Sequence, residues 1–160
     1  MYGQAIEHYL EAREFVKAER IVDRIMEHYW KEGKLSEPDV VQNLSKFAEL
    51  PDKLEFLKRY ANFHENYAAR NFALAARILV DILTGNPAPR VFWPTVLVDA
   101  IPLLEAEEVL FNTNDTFELM RCLEEVLTSF RKTDFIKALR EQDLELVRLA
   151  LVRNLARAMM

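Results

Sequence analysis

Residues 14–32, EFVKAERIVDRIMEHYWKE, repeat apolar side chains with the period of an α-helix. The apolar positions fall on one stripe of a helical surface. They are Phe15, Ala18, Ile21, Val22, Ile25, Met26 and Tyr29. Gly33 follows at a position where glycine often ends a helix. The stretch therefore predicts one long amphipathic helix.

The rest of the chain repeats this period with little interruption, since only three glycines and six prolines occur among 160 residues. A helix over about residues 4–12 is expected to form a hairpin with the one over residues 14–32. Further helices are predicted over about residues 38–47, 52–70, 71–83, 94–104, 113–130 and 143–159. The sequence thus predicts an all-α fold of about eight helices, arranged as a bundle or as a short solenoid.

Capping residues and prolines mark several of the predicted helix starts. Pro38, Pro51 and Asn71 begin three of them, and the helix over residues 113–130 has possible caps at Thr113, Asn114 and Asp115. The apolar face expected for the helix over residues 113–130 consists of Phe117, Met120, Leu123, Val126, Leu127 and Phe130. The more polar residues 131–142 are expected to form a linker or a short helix.

Residues 90–105, RVFWPTVLVDAIPLLE, are the most apolar part of the chain. Two prolines and Asp99 interrupt the run, which falls short of the roughly 20 residues that a membrane-spanning helix needs. We expect a packed helix that begins at Pro94 and is kinked or ended by Pro102. Its buried face is predicted to contain Val96, Leu97, Ala100, Ile101 and Leu104. Phe92 and Trp93 are expected in the core, with a partner contact as the alternative.

The composition is that of one folded domain over residues 1–160, with 51% hydrophobic and 29% charged residues. The net charge of -5 gives no support for nucleic-acid binding, which usually requires a basic face. The amino terminus lacks the basic-then-apolar order of a signal peptide. The single cysteine, Cys122, excludes an internal disulfide and a multi-cysteine metal site.

No group of residues predicts catalysis, a cofactor, a metal or a small-molecule substrate. His8, His28 and His64 lack the glutamate three residues earlier that helical metal sites use. No glycine-rich phosphate loop or serine nucleophile elbow is present. Cys122 is expected in the core as a thiol. Asp99 is expected on the exposed side of its helix or bonded to a neighbouring helix end. We therefore expect no enzyme.

The last predicted helix is apolar over most of its circumference. One stripe contains Leu144, Val147, Leu151, Leu155 and Ala158. Because such a helix needs cover on more than one side, it either lies centrally in this domain or docks a second protein. The candidate partner interface consists of Leu146, Leu149, Val152, Arg153, Ala156, Arg157 and Met159.

Four blocks carry a family resemblance: LEFLKRYANFHENYAARNFALAARILVDIL, FWPTVLVDAIPLLE, TFELMRCLEEV and LVRNLARAMM. In this order they resemble the carboxy-terminal part of the eighty-five-kilodalton nucleoporin family, over about residues 38–160. The resemblance depends on packing residues and not on catalytic ones. Residues 128–143 depart from it, because some relatives have a longer, variable loop there.

The resemblance implies an irregular stack of helical hairpins, part of an α-solenoid of the ancestral coatomer element class. Such proteins are scaffold subunits of the Y-shaped outer-ring complex of the nuclear pore. Their tail meets two other helical scaffold nucleoporins at the hub of the Y. The resemblance also implies that residues 1–160 are a carboxy-terminal fragment, without the amino-terminal part that binds a β-propeller partner.

Two function classes remain beside this scaffold hypothesis. A stand-alone helical adaptor would bind peptides in a groove; it requires a concave, exposed apolar groove and a well-buried last helix. An enzyme or a metal protein is disfavoured by the missing motifs.

Overall fold

The computed structural model describes residues 2–32, 50–85, 88–129 and 141–160. These residues form eight α-helices, one π-helical turn and one 3-10 turn, and no described residue lies in a β-strand. The all-α prediction is therefore confirmed. The helix predicted over residues 38–47 and most of the polar segment 131–142 lie outside the described residues. The chain divides into two compact units, Met1–Glu65 and Asn66–Met160.

The first unit contains the predicted hairpin, formed by α1 (Tyr2–Glu11) and α2 (Phe15–Glu32), which pack against each other. Five of the predicted α2 positions are buried: Ala18, Ile21, Val22, Ile25 and Met26. Phe15 was predicted in the same stripe, but its side chain is 43% exposed. Helical side chains lean toward the amino terminus, and at the first residue of α2 this direction leads beyond the hairpin contact.

A Schellman motif ends α1 and turns the chain into α2. The amide of Glu14 donates to the carbonyl of Tyr9 at 2.8 Å, and the amide of Arg13 donates to the carbonyl of Leu10 at 3.1 Å. Arg13 occupies the left-handed position of the motif, with φ of 57°. Arginine therefore takes a conformation in which glycine is less strained.

Helix α3 (Asp52–Ala68) begins after Pro51, as predicted, and most of it belongs to the first unit. Its buried residues match the predicted stripe and are Leu54, Phe56, Leu57, Tyr60, Ala61 and Phe63. The rings of Phe56 and Tyr60 stack with centroids 5.2 Å apart, and the His64 ring meets Tyr60 edge-on at 4.5 Å. Lys53 forms an ion pair with Asp23 of α2 at 2.9 Å.

The second unit contains the other helices: α4 (Phe72–Val80), α5 (Trp93–Asp99), α6 (Ile101–Leu104), α7 (Thr113–Ser129) and α8 (Glu141–Ala158). Helix α4 continues into the π-helical turn Asp81–Gly85, and the 3-10 turn Arg90–Phe92 precedes α5. Helix α8 packs against α5, α6 and α7, while α7 also packs against α5 and the π-helical turn. The last helix is therefore central to this unit.

The apolar run of residues 90–105 forms two helices rather than one. Pro102 stands in the first turn of α6. The helical run is interrupted at Ala100, between α5 and α6, so the predicted interruption is confirmed. The break changes the phase of the buried face: Leu103 is buried, whereas Ile101, predicted on that face, is only half-buried. Leu97 is fully buried as predicted.

Phe92 and Trp93 are both core residues, with 5% and 4% of their surface exposed. The indole nitrogen of Trp93 donates to the carbonyl of Ala88 at 2.8 Å, which satisfies the polar group of a buried ring. The core prediction is confirmed for this pair, and the alternative of a partner contact is not needed. Asp99 is half-buried.

Helix α7 buries only part of the predicted face. Leu123 and Val126 are buried as predicted, and Leu119 and Cys122 are buried beside them, whereas Phe117, predicted on the same face, is 54% exposed. Asp115, two residues before Phe117, lies on the inner side of α7. Polar contacts of the first turn fix this rotation of the helix, and the rotation turns Phe117 outward.

Candidate protein-interaction surfaces

Helix α8 presents one face to its own unit. The buried residues of this face, Leu144, Val147, Ala150, Leu151 and Asn154, recur at intervals of three or four. Leu155 and Ala158, which were predicted on the inner stripe, are half-buried. This face is the reason that α8 lies among α5, α6 and α7.

The opposite face of α8, which we call the outer face, remains exposed within the second unit. Leu146, Leu149 and Val152 are 50–52% exposed, and Met159 is 71% exposed. Ala156 is exposed among them. Helix α8 is therefore central on one side and uncovered on the other, and docking of a second protein on the uncovered side stays a prediction.

The two arginines of the candidate interface have different surroundings. Arg153 is exposed, with its guanidinium 3.7 Å from the carboxylate of Glu105. Arg157 is half-buried and donates to three backbone carbonyls: Leu104 at 3.3 Å, Ala106 at 2.6 Å and Glu107 at 2.7 Å. These carbonyls belong to the end of α6 and the loop after it, so Arg157 stabilises the fold at the edge of the outer face.

Three polar side chains hold the loop between α6 and α7, residues 105–112. Besides Arg157, Arg77 of α4 donates to the carbonyl of Leu110 at 3.2 Å. Asn154 of α8 donates to the carbonyl of Phe111 at 3.1 Å and to the hydroxyl of Thr116 at 2.8 Å. Because these donors come from two helices, the loop is fixed along most of its length.

A reciprocal capping box starts α7. The Asn112 side chain accepts from the amide of Asp115 at 2.8 Å, and the Asp115 carboxylate accepts from the amide of Asn112 at 3.2 Å. The same carboxylate forms an ion pair with Arg77 at 2.6 Å. Asp115 therefore contributes to the helix start as predicted, but the residue at the cap position is Asn112, not Thr113 or Asn114.

A groove of about 970 Å³ opens beside this loop, within the second unit. Its walls are the end of α3, the first turn of α4, the end of α6 and the loop; we call it the α4 groove. Phe72, Leu74, Leu103 and Leu110 supply apolar surface, and Leu74 is 51% exposed. The helical periodicity of the sequence does not predict this groove. The one sequence signal for it is the pair of adjacent acids, Glu107 and Glu108, between apolar residues.

Charged side chains stand on both sides of the α4 groove. Arg70 lines it near α4, while Glu107 and Glu108 line it on the loop. Arg70 has φ of 63° in a second Schellman motif, in which the amide of Asn71 donates to the carbonyl of Asn66 at 2.9 Å. Asn71 stands at the amino-terminal cap position of α4 but makes no capping hydrogen bond. The first amides of α4 therefore have no side-chain cap.

The histidines and the cysteine considered for chemistry differ in their burial. His8 is exposed, the His28 side chain lies outside the described part, and burial lowers the pKa of half-buried His64 to about 4. Cys122 is buried, and burial raises the pKa of its thiol to about 11 against the opposing effect of Arg121.

The described residues contain no group of three or more His, Cys, Asp or Glu side chains placed to hold a metal ion. None of the helices described is both long and apolar enough to cross a bilayer.

Comparison with known proteins identifies the family. A sequence model described as Nup85 Nucleoporin matches residues 1–125. The chain belongs to this family. The match begins at residue 1, earlier than the resemblance over residues 38–160, so the family pattern includes the first hairpin.

Individual relatives of this Nup85-family chain agree with the match. Nuclear pore complex protein Nup85 of Homo sapiens is 40% identical and that of Mus musculus 39% identical, each over 98% of the chain. Nuclear pore complex protein Nup75 of Drosophila melanogaster is 30% identical over 99% of the chain. The chain spans about a quarter of the length of these relatives. The nuclear pore, the location that the resemblance implies, is named in all three.

Proposed function

We propose that the chain is a non-catalytic scaffold module of the nuclear pore coat. It would join helical partner nucleoporins at the hub of the Y-shaped complex and so contribute to pore assembly and to the transport of proteins and mRNA. The single observation that supports this best is the outer face of α8. Membership of the Nup85 family supports the pore location.

The outer face has enough apolar surface to matter in binding. Burying a large aliphatic side chain fully contributes about 1.5–3 kcal/mol, so covering the exposed halves of Leu146, Leu149 and Val152 contributes about 3 kcal/mol in total. That corresponds to about a hundredfold in dissociation constant. The three residues are therefore an important but partial contribution, and we propose that further contacts of the partners lie beyond them.

The same proposal extends to the architecture. We propose that the chain belongs to an α-solenoid of the ancestral coatomer element class, as a carboxy-terminal part of a longer scaffold nucleoporin. The support is the all-helical structure and the quarter of its relatives' length that the chain covers.

Size-exclusion chromatography of the chain mixed with the two helical hub nucleoporins tests the proposal. Co-elution at micromolar concentration is the expected result, and Leu149→Glu should abolish it, because the charge would have to lose its water in the interface. Leu74→Glu is the matched control, since Leu74 and Leu149 have nearly equal exposure of 51% and 50%. Separate elution of the unsubstituted proteins would refute the proposal.

A stand-alone helical adaptor remains a second candidate because of one observation, the α4 groove. That function required a concave apolar groove together with a well-buried last helix. The groove is present, whereas α8 leaves its outer face exposed. The variants Leu74→Glu and Leu149→Glu separate the candidates, because each introduces a charge into one surface only.

A further inference from the structure

We propose that the α4 groove is a second docking site, separate from the outer face of α8, which binds a short linear segment of a partner protein. The segment would have two apolar residues, flanked by an acidic residue and a basic residue. The proposal does not depend on the scaffold function proposed for the outer face of α8.

The apolar part of the groove accounts for the middle of such a segment. Phe72 and Leu74 are 39% and 51% exposed on the first turn of α4, and Leu103 forms a buried base beneath the opening. Adjacent apolar side chains left half-exposed around a concavity are typical of ligand sites, whereas singly exposed ones are ordinary. A volume of about 970 Å³ accommodates several side chains.

The charges at the groove account for the residues that flank the apolar pair. Among the described charged side chains of the second unit, only Arg70, Glu107, Glu108 and Asp143 form neither an ion pair nor a side-chain hydrogen bond. Three of these four line the groove. Other charged side chains of the unit form ion pairs within it, as Arg77 does with Asp115 and Arg90 with Glu125.

This distribution predicts the charges of the occupant. Arg70 and the uncapped first amides of α4 favour a carboxylate on the α4 side, because unsatisfied helix amides carry partial positive charge. Glu107 and Glu108 favour a lysine or arginine on the loop side. An occupant with the same charge on both flanks would meet like charge on one side of the groove, which costs affinity.

The shape of the groove favours a short segment. Its walls are one helical turn on one side and an irregular loop on the other, which offers no long stripe for a second helix to pack along. The loop wall is fixed by Arg77, Asn154 and Arg157. Because the wall is held before binding, little conformational entropy is lost when the segment docks.

Selection from a displayed library of random twelve-residue peptides tests the proposal, with the 160-residue chain as the target. Enrichment of peptides in which an apolar pair is flanked by an acid and a base is the expected result. The variant with Glu107→Lys and Glu108→Lys should select peptides with acids at both ends and should bind the original peptides at least tenfold more weakly. Failure to enrich any sequence class, or selection of the same peptides by this variant, would overturn the proposal.

Arg70→Gly separates binding from folding. Glycine takes the left-handed conformation of the Schellman motif more easily than arginine, so the variant should melt at the same or a higher temperature. Its preference for an acidic residue should nevertheless disappear. Arg13→Gly is the matched control, because Arg13 occupies the same position in the first Schellman motif. It should gain the same stability and keep the full preference.

The two leucine variants distinguish this site from the outer face of α8. Leu74→Glu should lose the selected peptides and still co-elute with the hub nucleoporins, whereas Leu149→Glu should keep the peptides. If Leu149→Glu loses the peptides and Leu74→Glu keeps them, the peptides bind the outer face and the α4 groove proposal is wrong. If the unsubstituted chain does not bind the hub nucleoporins, the scaffold proposal is wrong and the α4 groove proposal is unaffected.

Discussion

Replacing Asn154 by alanine should destabilise the second unit by about 2–3 kcal/mol, as two buried hydrogen bonds contribute about 1 kcal/mol each and a carbonyl is left unsatisfied. Asn154 is fully buried and donates to the carbonyl of Phe111 and the hydroxyl of Thr116. Its side-chain oxygen is buried without a hydrogen-bond partner among the described atoms. Removing that oxygen offsets part of the loss, which keeps the expected value below 4 kcal/mol.

A double-mutant cycle with Thr116→Val attributes the effect to the hydrogen bond that the two side chains share. The double variant should be more stable than the sum of the single effects by about 1 kcal/mol, the contribution of one buried hydrogen bond. Thr116 also donates to the carbonyl of Asn112, but that loss occurs in both arms of the cycle and cancels.

Urea unfolding followed by tryptophan fluorescence is the assay. Trp30 and Trp93 are the two tryptophans of the chain, so a Trp30→Phe background leaves Trp93 as a reporter inside the second unit. The midpoint should fall with an unchanged m-value, since the surface exposed on unfolding does not change. A loss below 1 kcal/mol, or strictly additive single effects, would show that the Asn154 contacts do not hold the loop.

Three further predictions each concern one side chain. Leu97→Ala should cost 2–5 kcal/mol in urea unfolding, because the fully buried leucine leaves a cavity, and an unchanged midpoint would mean that α5 packs through another face. His64 stays neutral down to a pKa of about 4 in the folded chain but takes up a proton near pH 6.5 when unfolded. The free energy of unfolding should therefore fall by up to about 3 kcal/mol between pH 6.5 and 4. His64→Phe should remove this pH-dependent loss, and an identical pH dependence in the variant would show that His64 does not cause it. At pH 8 Cys122 should react with dithionitrobenzoate roughly 100-fold more slowly than in urea, since burial favours the thiol; equal rates would show that the thiol is accessible.

The sequence predicts the helices well because their periodicity is local information. The hairpin of α1 and α2, the break near Pro102 and the core position of Trp93 all follow from patterns within about 20 residues. The buried face of α7 does not follow from periodicity. Its rotation is set by the capping box of Asn112 and Asp115 and by an ion pair to Arg77, which is 38 residues away.

The interaction surfaces, like the buried face of α7, follow only in part from the periodicity of the sequence. Excess apolar residues on α8 predict that some surface remains to be covered, because one helix cannot bury its whole circumference against a single layer. The pattern cannot tell which residues turn inward, since Asn154 is polar and yet fully buried. The α4 groove is still less visible, because Arg70 and Glu107 come together only after four helices have folded.

The two proposed surfaces are linked physically through α8. The outer face of this helix is the proposed hub contact, and its last turn holds the groove wall through Arg157. A partner that covers the outer face would order the end of α8, where Met159 is now 71% exposed, and would thereby favour the geometry of the Arg157 contacts. Coupling free energies are reciprocal, so a segment docked in the α4 groove would strengthen hub binding by the same factor. We therefore expect each site to be removable by substitution on its own, and each to strengthen the other when both are occupied.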